Sequence, residues 1–191
     1  MKRLAVAVCI VALTAPAALA QTSTWKSEPE RSVVSFTVRH LGVTDVRGSF
    51  GNVDATIVYD AGDAGKSSVV ATVGVNTEST GESSRDDEIE SADFFDSGHF
   101  PTATFISSSV SKNGHGLWIR GNLTLHGITR PVVLDAQGPT APVEGPDNKP
   151  HSAFFATATI DRTQFGIGSN YPAAIVGDEV QLQIDLKIVK E

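Results

Sequence analysis

Cysteine is nearly missing from this 191-residue chain: a single residue, Cys9, sits in an apolar stretch near the N-terminus. A disulfide framework is excluded, and with it the small secreted scaffolds that depend on one. Positive charge is scarce. There are 15 lysines and arginines against 22 acids, a net charge of −7, and the basic residues form no cluster. A nucleic-acid binder needs a basic footprint, so no nucleic-acid partner is expected. The chain also lacks the short signatures of common chemistry, with no G-x-S-x-G elbow and no H-E-x-x-H. His40, His99, His115, His126 and His151 stand apart, without ligand spacing. No catalytic set, metal or cofactor is expected, and no internal repeat or low-complexity tract divides the chain.

What is present begins with a leader. Lys2 and Arg3 precede the apolar run "LAVAVCIVALTA", and Ala18-Leu19-Ala20 is a small-x-small cleavage site, the pattern of a secretory signal peptide. That run is shorter than the ~20 residues that span a bilayer, so a transmembrane protein is not expected. Cys9 lies inside the run behind Val8, which does not suit lipid attachment. The expected division is therefore 1–20, signal peptide, and 21–191, one exported domain. Loss of Lys2 and Arg3 leaves 13 basic residues against 22 acids, a balance of −9 over 171 residues. That length suffices for one domain with a real core.

Period-two alternation marks eight segments, roughly 31–40, 48–60, 67–77, 102–110, 116–126, 129–138, 151–162 and 178–190. In the last, Val180, Leu182, Ile184, Leu186 and Ile188 share one face, with polar residues opposite. Short breaks such as "SKNGHG" and "LHGITRP" are turn chemistry, where Gly supplies positive φ and Asn tolerates it. Eight strands in hairpin order predict an all-β fold, one antiparallel sheet that closes on itself and so has no exposed edges.

The stretch "GESSRDDEIESADFFDSGHFPTATF" (81–105) departs from that pattern. Ser83 or Ser84 can cap a helix, and Asp86, Asp87 and Glu88 fill a first turn where the helix dipole favours negative charge. Ile89 and Ala92 form a small apolar stripe. Two readings are open: a solvated crossover helix, or a lid whose Phe94, Phe95 and Phe100 turn inward to close one end of a barrel.

The pieces "SVVSFTVRHLGVTDVRGSF", "SRDDEIESADFFDSGHFPTATF", "GNLTLHGITRPVVL" and "IDRTQFGIG", in that order, resemble the YceI-like family of secreted bacterial polyisoprenoid-binding proteins. The resemblance covers nearly all of the chain after the leader. It implies an extended, lipocalin-like, eight-stranded antiparallel barrel with one short helix between strands. It also implies export to the periplasm, a long apolar cavity for a long-chain isoprenoid-type lipid, such as a polyprenyl compound or quinone, and a possible homodimer. Inward-capable Phe36, Val38, Phe50, Phe105, Leu123, Leu125 and Phe155 are expected to line that cavity. Arg85, Ile89, Phe94 and Phe95 of the lid and His40 at a strand end complete the expected ligand-binding set. One departure stands out: where the family usually carries His-Leu-Arg after the Arg-Asp of the helix, this chain has Glu88-Ile89-Glu90.

Barrel dimensions agree with such a ligand. Strands of about 11 residues tilted by about 40° make a barrel about 28 Å tall, with room for one slim chain. Burying about 15 methylene-sized carbons stabilises by about 12 kcal/mol, against an association cost of about 4–15 kcal/mol. A long tail is therefore favoured over a small solute. The expected function is a lipid-binding carrier rather than an enzyme. The alternatives are an enzyme acting on the bound lipid, with His40 or His126 as general base, and a structural barrel filled by its own side chains.

Overall fold

The computed structural model describes residues 22–191, so the leader expected at 1–20 lies outside the described residues. In chain order the strands are β1 (Thr22–Ser27), β2 (Val33–His40), β3 (Thr44–Phe50), β4 (Asp54–Asp60), β5 (Ser68–Gly74) and β6 (Glu78–Ser79). A helix, α1 (Ser83–Glu90), follows. After it come β7 (Thr102–Asn113), β8 (Gly116–Leu125), β9 (Ile128–Gln137), β10 (Val143–Glu144), β11 (Pro150–Asp161) and β12 (Val176–Lys190).

Each strand pairs antiparallel with its neighbours, and β12 returns to β1, which closes an eight-stranded barrel. The eight alternating segments map onto its eight wall positions, but two of those positions are longer than the alternation shows. β1 and β2 together form one wall, since β12 pairs with β2 through Val176–Asp185 and with β1 through Ile188–Lys190. Pro29 opens a single 3₁₀ turn between them. There Ser32 supplies a hydroxyl to the amide of Lys187 at 3.1 Å, and Ser27 supplies one to the amide of Ala55 at 2.7 Å. These side chains fill the ladder where the backbone leaves it. β3 and β4 likewise share a wall, bent at Asn52 with φ +51°.

The barrel is a cup. Trp25, Ile57, Val110, Leu117, Ile119, Ala136, Phe154 and Ile188 form a buried cluster that fills most of one end and leaves only a small void of about 50 Å³ among them. Phe154 meets Tyr59 edge-on at 5.9 Å there. Ile188 is completely buried. At the other end the walls stay apart and α1 crosses the opening.

Two expectations for that helix are corrected. Its N-cap is Glu82, with no capping bond from its own side chain. Asp86 instead reaches back to accept from the Thr80 amide at 2.8 Å and the Thr80 hydroxyl at 2.6 Å, which ties the first turn to the preceding chain. Ala92 is exposed, so Ile89 alone carries the inward apolar face.

Candidate functional site

Between the packed end and α1 lies a cavity of about 400 Å³. Its walls are inward residues of alternating strands. β2 contributes Val34, Phe36, Val38 and His40, and β3 contributes Val46 and Phe50. β5 and β7 add Val69, Ala71, Val73, Ala103 and Phe105, while β8 adds Leu123 and Leu125. Val180, Leu182, Ile184 and Leu186 of β12 face them, as their spacing predicts. Arg85, Glu88, Ile89, Phe94 and Phe95 of the α1 segment form the roof.

Of the twelve residues expected to contact ligand, eleven line this one space. Phe155 does not. It follows Phe154, and alternation sends consecutive residues to opposite faces. Phe154 is buried, whereas Phe155 points outward with Lys187 Nζ 5.1 Å from its ring centre. Phe100 is a second correction, since its ring packs edge-on against His126 at 5.0 Å instead of closing the mouth.

Two glycines keep the lumen open. Gly48 and Gly121 occupy inward positions, and a Cβ on either would come within 2.5 Å of the Phe36 or Phe105 ring. Each phenylalanine lies flat over a wall that has no side chain of its own. A side chain at either glycine would push the ring into the cavity.

The roof is fastened from the loop after β11. Tyr171 donates its phenol proton to Glu88 at 2.7 Å, and its ring lies 4.9 Å from Phe94. The Gly168 amide donates to the Asp93 carbonyl at 2.9 Å. The bond to Glu88, more than burial, holds the Tyr171 hydroxyl above its ordinary pKa of 10.0, because ionisation would set two negative charges side by side.

That loop is itself held by Arg162, which is 3% exposed. Its guanidinium donates to the carbonyls of Ile167, Gly168, Tyr171, Val176 and Gly177 at 2.6–3.0 Å and to the Asp178 carboxylate at 3.0 Å. All five N–H donors of an arginine are used. Sequence reasoning missed this residue, although "IDRTQFGIG" contains the signal: an arginine just ahead of two glycines, Gly166 and Gly168, both at positive φ.

The polar groups of the site are mostly committed. Arg85 is ion-paired with Glu82. Arg39 and Arg47 both pair with Asp45, at 3.1 and 3.2 Å, and Arg130 bonds the carbonyl of Thr129 at 3.2 Å. His126 lies outside the cavity lining with Nδ1 3.0 Å from the Phe165 carbonyl oxygen, a backbone contact. His40 reaches the mouth of the lumen. No cluster of three or more metal-ligating side chains occurs among the described residues.

A closed eight-stranded antiparallel barrel with an apolar lumen, one packed end and one roofed end is a lipocalin-like barrel. The YceI-like domain matches residues 25–188, and the chain belongs to that family. Protein YceI of Salmonella arizonae is 34% identical over 168 residues, 86% of this chain and 84% of that protein. The crystal structure of Burkholderia cenocepacia BcnA has the same fold, with a TM-score of 0.73 at 24% identity over 84% of this chain and 98% of that one. A polyisoprenoid binding domain from Saccharophagus degradans, implicated in plant cell wall breakdown, shares it too. Its TM-score is 0.61 at 13% identity, covering 87% of this chain and 98% of that one.

Proposed function

We propose that this protein is an exported, periplasmic lipid carrier that holds the tail of an isoprenoid-type lipid, a polyprenyl compound or quinone, in its lumen. One observation carries the reading: the cavity of about 400 Å³ is walled almost wholly by aliphatic and aromatic side chains, and the packed end leaves the α1 end as the way in. The volume lies near the low end of the about 300–1,000 Å³ typical of ligand pockets. That suits one slim chain rather than a fused ring system. Family membership and the described ligand of the Saccharophagus degradans domain support the same class.

Binding is favoured over catalysis on chemical grounds. His126 is engaged with backbone outside the lumen, and His40 has no carboxylate within hydrogen-bonding distance to orient it as a base, among the described residues. Protein purified without detergent should release a long-chain lipid on organic extraction, and its native mass should exceed the chain mass by that lipid. Ala71→Leu with Ala103→Leu, filling the lumen from two walls, should abolish the added mass while the protein stays folded. Finding no lipid after purification, and no uptake of a polyprenol or a quinone on titration, would overturn the reading.

A further inference from the structure

Leu41, Val43 and Ile175 are exposed at 52%, 75% and 38%, and they stand together beside the roof. The Leu41 amide donates to the Ile175 carbonyl at 2.9 Å, and the Val43 amide to that of His40 at 3.1 Å. The tip of the β2–β3 hairpin and the turn before β12 are thus one unit.

That tip departs from two local preferences. Leu41 and Gly42 have φ of +52° and +68°, the left-handed pair of a tight hairpin turn. Asn-Gly is the favoured sequence there, and a leucine is strained. Its side chain also faces water, and neither Leu41 nor Val43 belongs to either core cluster. Local rules broken without a structural gain mark a functional position. The apolar surface is continuous with the lumen, because Ile175 is exposed on one side and lines the cavity beside His40 and Val176 on the other.

We infer that this rim inserts into the surface of a lipid bilayer, so that a tail passes from the bilayer into the lumen without crossing water. The inference rests on the carrier reading above. A second copy of the chain is a poor occupant, since three side chains on a convex tip fall far short of the about 800 Å² per partner of a stable interface. Charge selects the kind of bilayer. Arg39 and Arg47 flank the tip but are shared by Asp45. The roof beside them carries Asp86, Asp87, Glu88 and Glu90 with Arg85 already paired to Glu82. The surface it fits is zwitterionic, and an anionic one is repelled.

The test compares the parent protein with Leu41→Asn/Val43→Ser, a pair that suits the turn and should unfold at the same temperature or higher. Flotation with phosphatidylcholine vesicles should show the variant partitioning about tenfold less, equivalent to roughly 1.4 kcal/mol. Added phosphatidylglycerol should weaken binding of the parent. Uptake of a fluorescent farnesol analogue from vesicles should slow by a similar factor, while uptake of the same probe delivered in ethanol should not change. Equal flotation by parent and variant would overturn the rim while leaving the carrier intact. Failure of the parent to take up the probe by either route would instead overturn the carrier reading, with flotation still deciding the rim.

Discussion

Tyr171 and Glu88, 83 positions apart in sequence, meet through a phenol–carboxylate hydrogen bond of 2.7 Å that fastens the roof helix to the loop after β11. Tyr171→Phe keeps the ring against Phe94 and removes only that bond. Amide exchange across 83–100 should then quicken roughly twofold to tenfold, and lipid uptake should quicken with it. Unchanged exchange at Ile89 and Phe95 would mean that other contacts hold the roof. Because the bond raises the tyrosine pKa, its contribution is complete below pH 10.0 and is lost as pH climbs through the higher folded value. The latch therefore holds at neutral pH.

Glu88 also bears on the head group. It faces the cavity, whereas the Glu90 carboxylate turns aside to Ser97, 3.5 Å away. With Arg85 paired to Glu82 and Arg162 saturated by carbonyls, no uncommitted arginine lines the mouth among the described residues. A diphosphate needs such partners. A polyprenol or quinone should therefore bind more tightly than a polyprenyl diphosphate with the same tail. Glu88→His should narrow the difference more than Glu90→Arg, and more so at low salt. Equal affinity for the two head groups in titration calorimetry would place the head group away from α1.

Arg162 organises the loop that carries Tyr171. Arg162→Met strips donors from five buried or half-buried carbonyls and leaves Asp178 without its partner. A loss of about 3–5 kcal/mol is expected, since leaving even one buried carbonyl without its donor costs about 1–3 kcal/mol, a fall in Tm of roughly 6–20 °C for a chain of this size. Arg162→Lys should recover little, because an ammonium cannot match the planar fork. Thermal unfolding of both variants tests this, and a lysine variant as stable as the parent would refute the network's role.

Gly121→Ala should cost about 1–3 kcal/mol, the usual penalty for overpacking. The added Cβ would sit 2.5 Å from the Ile106 carbonyl oxygen as well as from the Phe105 ring. The displaced ring should also shrink the lumen, so lipid capacity falls along with stability. Normal capacity in a destabilised variant would show that the ring had moved outward instead.

Much of this was legible in sequence wherever one face of a strand is buried, because period-two alternation then writes the fold directly. β12 is the clearest case, with Val180, Leu182, Ile184, Leu186 and Ile188 turned inward. β1 was not legible: "TSTWKS" is polar apart from Trp25, and its strand conformation is imposed by pairing with β4 and β12. Phe155 was misplaced because two adjacent phenylalanines offer the same bulk to both faces, and only the register Phe154↔Leu186 decides which turns inward. The Tyr171–Glu88 latch and the Arg162 cage join residues through loops, where no periodicity exists to read.

The pairing of β12 with β11, β2 and β1 also fixes when this molecule can first exist. Every wall through β11 can form on an unfinished chain as an open curved sheet, with two unsatisfied edges and its apolar face bare. Only the fifteen residues of β12 join those edges. A chain in which β12 has not yet docked is therefore a half-rolled ribbon, exposed to edge-to-edge pairing and attractive to chaperones. The vessel comes into being at once, when Lys190 reaches Trp25.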